Sequence, residues 1–372
     1  MRSVSGGTAR FRPTRAVVDL GAIRHNVSVL EPDGAELMAV VKANAYGHGA
    51  VPVARAAIEA GATWAGVALV EEGLELRLAG IEAPILMLSE FPAGSEAVAL
   101  AHRLTPTVYT DVGLARLAAA ARGTVAVHVK IDTGMHRVGV WPPEDAPRFL
   151  ASVVAAGFEV EGLWTHLAMS EDDEVVTKTQ LDRFARVVEA AHAAGIEPRL
   201  VHASNSGAVL RHPEAAFDLV RPGIALYGIL PAAGVGEDRG LRPALSWRSA
   251  VSMTKRLPAG ERLSYGQRYE LERASTIATV PVGYADGYPR TASSRAQVLI
   301  GGRRHRVAGT VTMDQLVIDC GDAEVAPGDE VVLLGEQGGD AITAAELGEA
   351  AGTIAYEIVT RIGARVPREH VG

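Results

Sequence analysis

Eight apolar runs of strand length recur along the chain up to Tyr227, at residues 38–41, 64–70, 84–88, 105–109, 125–131, 160–167, 200–203 and 219–226. Between most of them lie alanine-rich segments with helical patterning, such as 51–60, 71–79 and 181–194. Glycine follows these three, at Gly61, Gly80 and Gly195, where a helix stop is expected. Uninterrupted apolar runs are what parallel strands buried on both faces require. Eight of them alternating with helices predict an α/β fold opening with a (β/α)8 TIM barrel. A doubly wound sheet is the alternative, but no G-x-G-x-x-G follows the first strand.

After Pro243 the pattern changes. Strand-like segments at 246–256, 275–282, 296–300, 315–319 and 330–334 are joined by turn signals, among them Pro258-Ala259-Gly260, Gly301-Gly302 and Pro327-Gly328-Asp329. That predicts a C-terminal, mainly β domain. One helix is expected at 341–351, with Thr343 as N-cap and Glu346 at the capping-box position. The expected division is a mobile N-terminal tail at 1–14, the barrel at 15–243 and the β-rich domain at 244–372. The tail carries Arg2, Arg10, Arg12 and Arg15 at its edge with no apolar segment behind them, so it does not read as a signal peptide.

A chain of 372 residues that is 48% apolar can fill two cores. Its net charge of −8, with dispersed Lys and Arg, argues against a nucleic-acid or anionic-membrane surface. No run reaches transmembrane length. The single cysteine, Cys320, excludes an intrachain disulfide and fits a cytoplasmic location.

In a TIM barrel the chemistry gathers at the C-terminal strand ends. The polar residues that close the apolar runs are Lys42, Lys130 with Asp132, His166, Ser204 with Asn205 and Ser206, and Arg221. Taken alone, Lys42 reads more readily as a snorkelling lysine than as an amine nucleophile. His166 alone could be a core histidine, and Arg221 a surface ion-pair partner. Barrels often bind phosphate with the loops after strands 7 and 8. Those loops hold Asn205, Ser206, Gly223 and Ile224. Ser206 supplies a hydroxyl, and Gly223 lets backbone amides approach closely.

The string Val40-Val-Lys-Ala-Asn-Ala-Tyr-Gly-His-Gly49 resembles the cofactor-lysine segment of the alanine racemases, which are fold-type III pyridoxal phosphate enzymes. The likeness runs from about Arg15 to Arg368. It includes K-I-D-T-G-M-H-R-V-G from Lys130, W-T-H-L-A from Trp164, R-P-G-I-A-L-Y-G from Arg221, L-S-Y-G from Leu263, V-G-Y-A-D-G-Y from Val282 and T-M-D-Q from Thr312. The resemblance implies racemisation of alanine with pyridoxal 5'-phosphate, supplying D-alanine for peptidoglycan, and no metal. It implies that Lys42 holds the cofactor covalently, that Tyr46 and Tyr356 contact the phosphate, and that Arg221 faces the pyridine nitrogen. An arginine there donates to the nitrogen without surrendering its proton, which restrains side reactions.

Racemisation needs a proton removed from one face of Cα and returned on the other, hence two bases. The resemblance implies Lys42 and Tyr265, with His166 and then Arg221 behind the tyrosine. It also implies a homodimer in which Tyr265, Met313 and Asp314 come from the other subunit. Arg137 and Met313 would hold the substrate carboxylate. Lys130 would be open to carbamylation, and Tyr284 would line the access corridor. Two positions depart from the family pattern. Thr312 stands where Cys is common, and His136 where Gly is common. A broader amino-acid racemase, a non-catalytic cofactor carrier and a basic-amino-acid decarboxylase are the alternatives. The β domain with Tyr265 argues against the carrier, and the lack of a Cys-containing substrate motif against the decarboxylase.

Overall fold

The computed structural model describes residues 11–372, in two compact units. One spans Leu20–Ala244, and the other joins the chain up to Asp19 to Leu245–Val371. The first strand, β1 (Arg15–Asp19), belongs to the latter. The unit Leu20–Ala244 holds the parallel strands β2 (Glu36–Val40), β3 (Trp64–Val67), β4 (Ile85–Met87), β5 (Leu104–Thr105), β6 (Thr107–Val108), β7 (Ala126–Lys130), β8 (Glu159–Trp164), β9 (Leu200–His202) and β10 (Leu219–Val220). They pair in the orders β10-β2-β3-β4-β5 and β6-β7-β8-β9.

These are the eight expected runs, with the fourth cut in two by Pro106. Proline has no N–H to give to a ladder, yet its carbonyl still accepts from His128 N at 2.9 Å. Between β9 and β10 the amides of Asp218 and Arg221 donate to the carbonyls of Val201 and Ser204, at 2.9 and 3.0 Å, and this closes the barrel. The expected strand at 219–226 ends at Val220. Arg221-Pro222-Gly223 interrupts it, and a buried 3₁₀ turn, Ile224–Tyr227, follows. Leu37, Ala39, Val41, Val127, Val129 and Leu163 are among the fully enclosed residues. Burying a Leu or Val side chain contributes about 1.5–3 kcal/mol.

The helices Ala50–Glu59 and Val70–Leu78 lie where the alanine-rich segments predict them. The long helix Glu174–Ala193 starts well before the expected position 181, because Asp173 caps it by accepting from Val176 N at 2.9 Å.

The second unit carries β1 with β11 (Leu245–Ala250), β12 (Met253–Leu257), β13 (Arg262–Leu263), β14 (Tyr269–Glu270), β15 (Ser275–Val280), β16 (Gln297–Ile300), β17 (Arg303–Val307), β18 (Leu316–Asp319), β19 (Glu330–Gln337), β20 (Asp340–Ile342) and β21 (Arg368–Val371). The main sheet runs β12-β15-β18-β17-β16-β19-β11-β1-β21, with β20 on β19 and β13 paired to β14 alone. The single run expected at 246–256 is two strands. The helix Ala344–Ala351 begins after β20, and Thr343 Oγ1 caps it by accepting from Glu346 N at 3.0 Å.

Two expectations need correction here. Residues 15–19 are not part of the barrel: β1 pairs antiparallel with β11 and parallel with β21. The expected mobile tail at 1–14 lies outside the described residues for 1–10. Beyond them the chain is anchored, since Arg12 reaches Asp286 at 2.7 Å and buried Thr14 bonds Ser249 Oγ at 2.9 Å. Among the described residues no helix is long and apolar enough to cross a membrane.

Candidate active site

Lys42 follows β2 after one residue, Val41, and the four residues after it are left-handed. Ala43, Asn44, Ala45 and Tyr46 have φ of 52°, 53°, 52° and 51°. For non-glycine residues this costs about 1–2 kcal/mol each, so neighbouring structure must enforce it. Glu72 Oε1 accepts from Ala43 N at 2.6 Å, and Asn44 Oδ1 accepts from Ala50 N at 2.8 Å. The turn reverses the chain sharply and carries Tyr46 toward the loop after β10.

In that loop a Cβ on Gly223 would stand 2.5 Å from Tyr46 Oη, so any larger residue would have to push the Tyr46 hydroxyl aside. Ser206 Oγ accepts from the amides of Gly223 at 2.9 Å and Ala225 at 3.2 Å. With both bonds accepted, its own proton is left to donate. Asn205 caps the short helix Ser206–Arg211 through Ala208 N at 3.0 Å. Burial pushes the Tyr46 phenol up to about 12, which keeps it a neutral donor. Glycine, amides, a hydroxyl and a phenol form a cradle whose donors suit a phosphate.

Lys130 closes β7, Trp164 closes β8, and His166 and Arg221 follow β8 and β10. The Lys130 ammonium sits 4.1 Å above the Trp164 ring, and the Arg221 guanidinium is 4.8 Å from it. Arg221 is 4% exposed. Its Nη2 donates to the carbonyls of Thr165 and Ala203, at 2.8 and 3.0 Å. Burial lowers it to about 9, so it stays protonated at neutral pH. Burial, then Arg137, Arg221 and Lys42, brings Lys130 down to about 7. Burial and then Arg137 lower Lys42. Burial followed by the four cations Arg221, Lys130, Arg137 and Lys42 holds His166 well below its ordinary range, so the ring is neutral. Lys130, Asp132, Arg137 and His166 line one small cleft. The Asp132 carboxylate is engaged by the amides of Gly134 and His136, both at 3.0 Å. Positive charge therefore prevails at this mouth, and it fits anionic groups.

The other expected residues lie in the second unit. Ser264, before Tyr265, donates to Thr310 O at 2.5 Å, and Thr310 Oγ1 donates to Tyr265 O at 2.8 Å. The amides of Tyr284 and Ala285 donate to the carbonyls of Thr312 and Met313, both at 3.0 Å. Tyr265, Tyr284, Met313 and Asp314 thus stand on loops stitched to one another. Tyr265 is 74% exposed and Met313 52%. Arg365 donates to Asp314 at 2.8 Å. Tyr356 is half-buried on the helix Ala355–Thr360.

Residues 18–231 match the family model for the alanine racemase N-terminal domain, and residues 244–370 match that for its C-terminal domain. The chain belongs to the alanine racemase family. It is 49% identical to the alanine racemase of Symbiobacterium thermophilum, over 97% of this chain and 98% of that one. It is 46% identical to that of Frankia casuarinae, over 96% of each. Among solved structures, the alanine racemase of D-cycloserine-producing Streptomyces lavendulae superposes with a TM-score of 0.94 at 42% identity, covering 98% of both chains. That of Bacillus anthracis with bound L-Ala-P gives 0.92 at 38%, covering 98% of this chain and 96% of the other. The protein is an isomerase that racemises alanine.

Glu72, Trp164, His202 and His128 do not stand out as site residues from the sequence alone. Trp164 stands at a strand end beside His166, which was a usable signal. Glu72 was not, because its partner Ala43 is remote in sequence. His136 has a φ of 54°. Its ring meets Trp141 edge-on at 4.5 Å.

Proposed function

We propose that this racemase works with pyridoxal 5'-phosphate attached at Lys42, and that two chains share their sites as a homodimer. One observation carries the reading: a single left-handed turn links Lys42 to Tyr46, whose hydroxyl meets the Gly223 and Ser206 cradle. The cradle's donors fit the phosphate, and Lys42 lies one turn away for the aldehyde. When bound, the cofactor draws electron density from the substrate's Cα and makes its proton removable.

The remaining work falls to the protein. Tyr46, the Ser206 hydroxyl and the amide of Ile224 would hold the phosphate beside Gly223, whose own amide keeps Ser206 in place, assisted by Tyr356. Arg221 donates to the pyridine nitrogen and keeps its proton. Arg137 receives the substrate carboxylate, with Met313 and Asp314 from the partner closing over it. Lys42 Nζ, lowered by burial, takes or returns a proton on one face of Cα. The partner subunit's Tyr265 does so through Oη on the other, with neutral His166 and Arg221 behind it. The exposure of Tyr265 and Met313 supports their covering a partner's site. Lys130, with an amine that is partly neutral near pH 7, is open to carbamylation, which would give Arg137 an anionic neighbour. Such an enzyme supplies D-alanine for peptidoglycan.

Borohydride reduction of the cofactor-loaded protein, followed by peptide mapping, tests the assignment. The label is expected on Lys42. Labelling of Lys130, Lys178 or Lys255 with Lys42 untouched would sink it.

A further inference from the structure

A chain of buried polar groups runs along the barrel interior, from the C-terminal mouth to the N-terminal strand ends. Arg221 Nη1 lies 2.9 Å from His202 Nδ1, and His202 Nε2 lies 2.9 Å from His128 Nδ1. His128 Nε2 faces Glu161 Oε2 at 3.7 Å. Both histidines are completely buried. Glu161 accepts from Arg199 at 3.1 Å, and Arg199 also holds Glu36 at 2.6 Å.

The directions of these bonds are forced. Arginine only donates, so His202 Nδ1 must accept and its Nε2 must carry the proton. That proton points at His128 Nδ1, which must therefore accept. His128 Nε2 then carries its own proton, aimed at an acceptor-only carboxylate. The donor at the Arg221 end is enough to permit this one arrangement; the Glu161 carboxylate, at 3.7 Å, faces the last N–H across a gap longer than a hydrogen bond. Burial favours neutral rings here, lowering His128 and bringing His202 well below its ordinary range.

The rings are held in place. His202 stacks on Trp164 at 5.5 Å with an interplanar angle of 8°, and His128 meets Trp64 edge-on at 5.3 Å. A Cβ at Gly162 would lie 2.2 Å from His128 Nδ1, so β8 carries glycine there to admit the ring. Among the described residues no carboxylate lies within ion-pair distance of the buried Arg221 guanidinium.

We propose that Glu161 is a positioning residue for Arg221: its carboxylate stands beside the Nε2–H that the bond directions place on His128, and through His128 and His202 it steadies the orientation of the guanidinium. The inference rests on the reading of Arg221 as the pyridine-nitrogen partner.

The test uses the full-length chain with 15N-labelled histidine, with and without pyridoxal phosphate. Long-range 1H–15N correlation gives the protonated nitrogen of each ring, with signals assigned from His128→Gln and His202→Gln. Both rings are expected as Nε2–H. In Glu161→Leu the His128 Nε2–H signal should shift and the visible absorption of the bound cofactor should change. kcat should fall about tenfold with KM little altered, the scale seen when a group that orients a functional side chain is removed. Glu161→Gln, which keeps an acceptor and loses the charge, should fall between the two. Glu36→Gln also removes a partner of Arg199 but does not face His128, so it should leave all three readouts unmoved. An Nδ1–H tautomer on either ring overturns the proposal. So do equal effects of Glu36→Gln and Glu161→Leu, which would mean a structural role alone. The tautomers are read without cofactor as well. A failure of the cofactor reading would show separately, as a wild type that develops no absorption band.

Discussion

Glu72 Oε1 accepts a 2.6 Å hydrogen bond from the amide of Ala43, the residue directly after Lys42. The other oxygen accepts from Ala68 and Leu69, at 2.9 and 3.1 Å. One carboxylate thus ties the start of the helix Val70–Leu78 to the left-handed turn. Hydrogen bonds to a charged group contribute about 1.5–3 kcal/mol, enough to offset one or two of the four strained residues. Glu72→Ala is expected to melt earlier by differential scanning calorimetry. Displacing Lys42 by about 1 Å would cost about 100-fold in kcat. Unchanged kcat would show that the turn holds without it.

Gly223→Ala is expected to weaken cofactor binding more than folding. The new Cβ would meet Tyr46 Oη at 2.5 Å, and the Tyr46 ring is backed by Tyr227 at 5.0 Å. Overpacking of this kind costs about 1–3 kcal/mol. Titration with pyridoxal phosphate, followed by absorbance, should show a weaker Kd, while Tm falls by only a few degrees. Wild-type affinity would argue against the cradle as the phosphate site.

The fold was legible where one physical demand acts alone. Parallel strands buried on both faces must be apolar throughout, and β2 to β10 were visible for that reason. β17 was hidden because Arg304 and Arg306 line its outer face and Arg303 opens its inner one, which leaves only His305 and Val307 buried. β1 was assigned to the barrel although its alternation, with Ala16 and Val18 buried, belongs to a sheet wet on one face. Lys42, His166 and Arg221 could be found because polar residues at strand ends stand out. His128 and His202 lie inside apolar strands and look like core histidines until the structure shows that they face each other.

Lys130 provides a pH prediction. Its folded value of about 7 lies below the ordinary lysine value of about 10.4. Between the two, the unfolded chain holds a proton that the native state lacks, so stability rises with pH across that window. Below about pH 7 the full cost of the buried cation is present. Lys130→Met should therefore exceed the wild type in Tm most at pH 6–7 in bicarbonate-free buffer, with the gap closing toward pH 10. Each tenfold loss of proton affinity on folding corresponds to about 1.4 kcal/mol. Added bicarbonate should stabilise the wild type and leave the variant alone. A gap independent of pH would mean that the amine is not perturbed.

Tyr265→Phe should keep the cofactor and lose racemisation. In deuterated water the variant should still exchange the α-proton of D-alanine slowly, and not that of L-alanine. Mixing inactive Lys42→Ala chains with inactive Tyr265→Phe chains should restore activity, to no more than about half per mixed dimer under two-fold symmetry. Mixed dimers without activity would place Tyr265 in its own chain's site or outside the chemistry.

The pairing of β1 has a consequence for the order in which the protein is made. β1 hydrogen-bonds to β11 and to β21, which ends at Val371. A strand made before residues 20–244 thus waits for partners that are made after them. Residues 20–244 have all their strand partners within themselves and can fold while synthesis continues. The unit that carries Tyr265 and Met313 cannot complete its main sheet until β21 has been made.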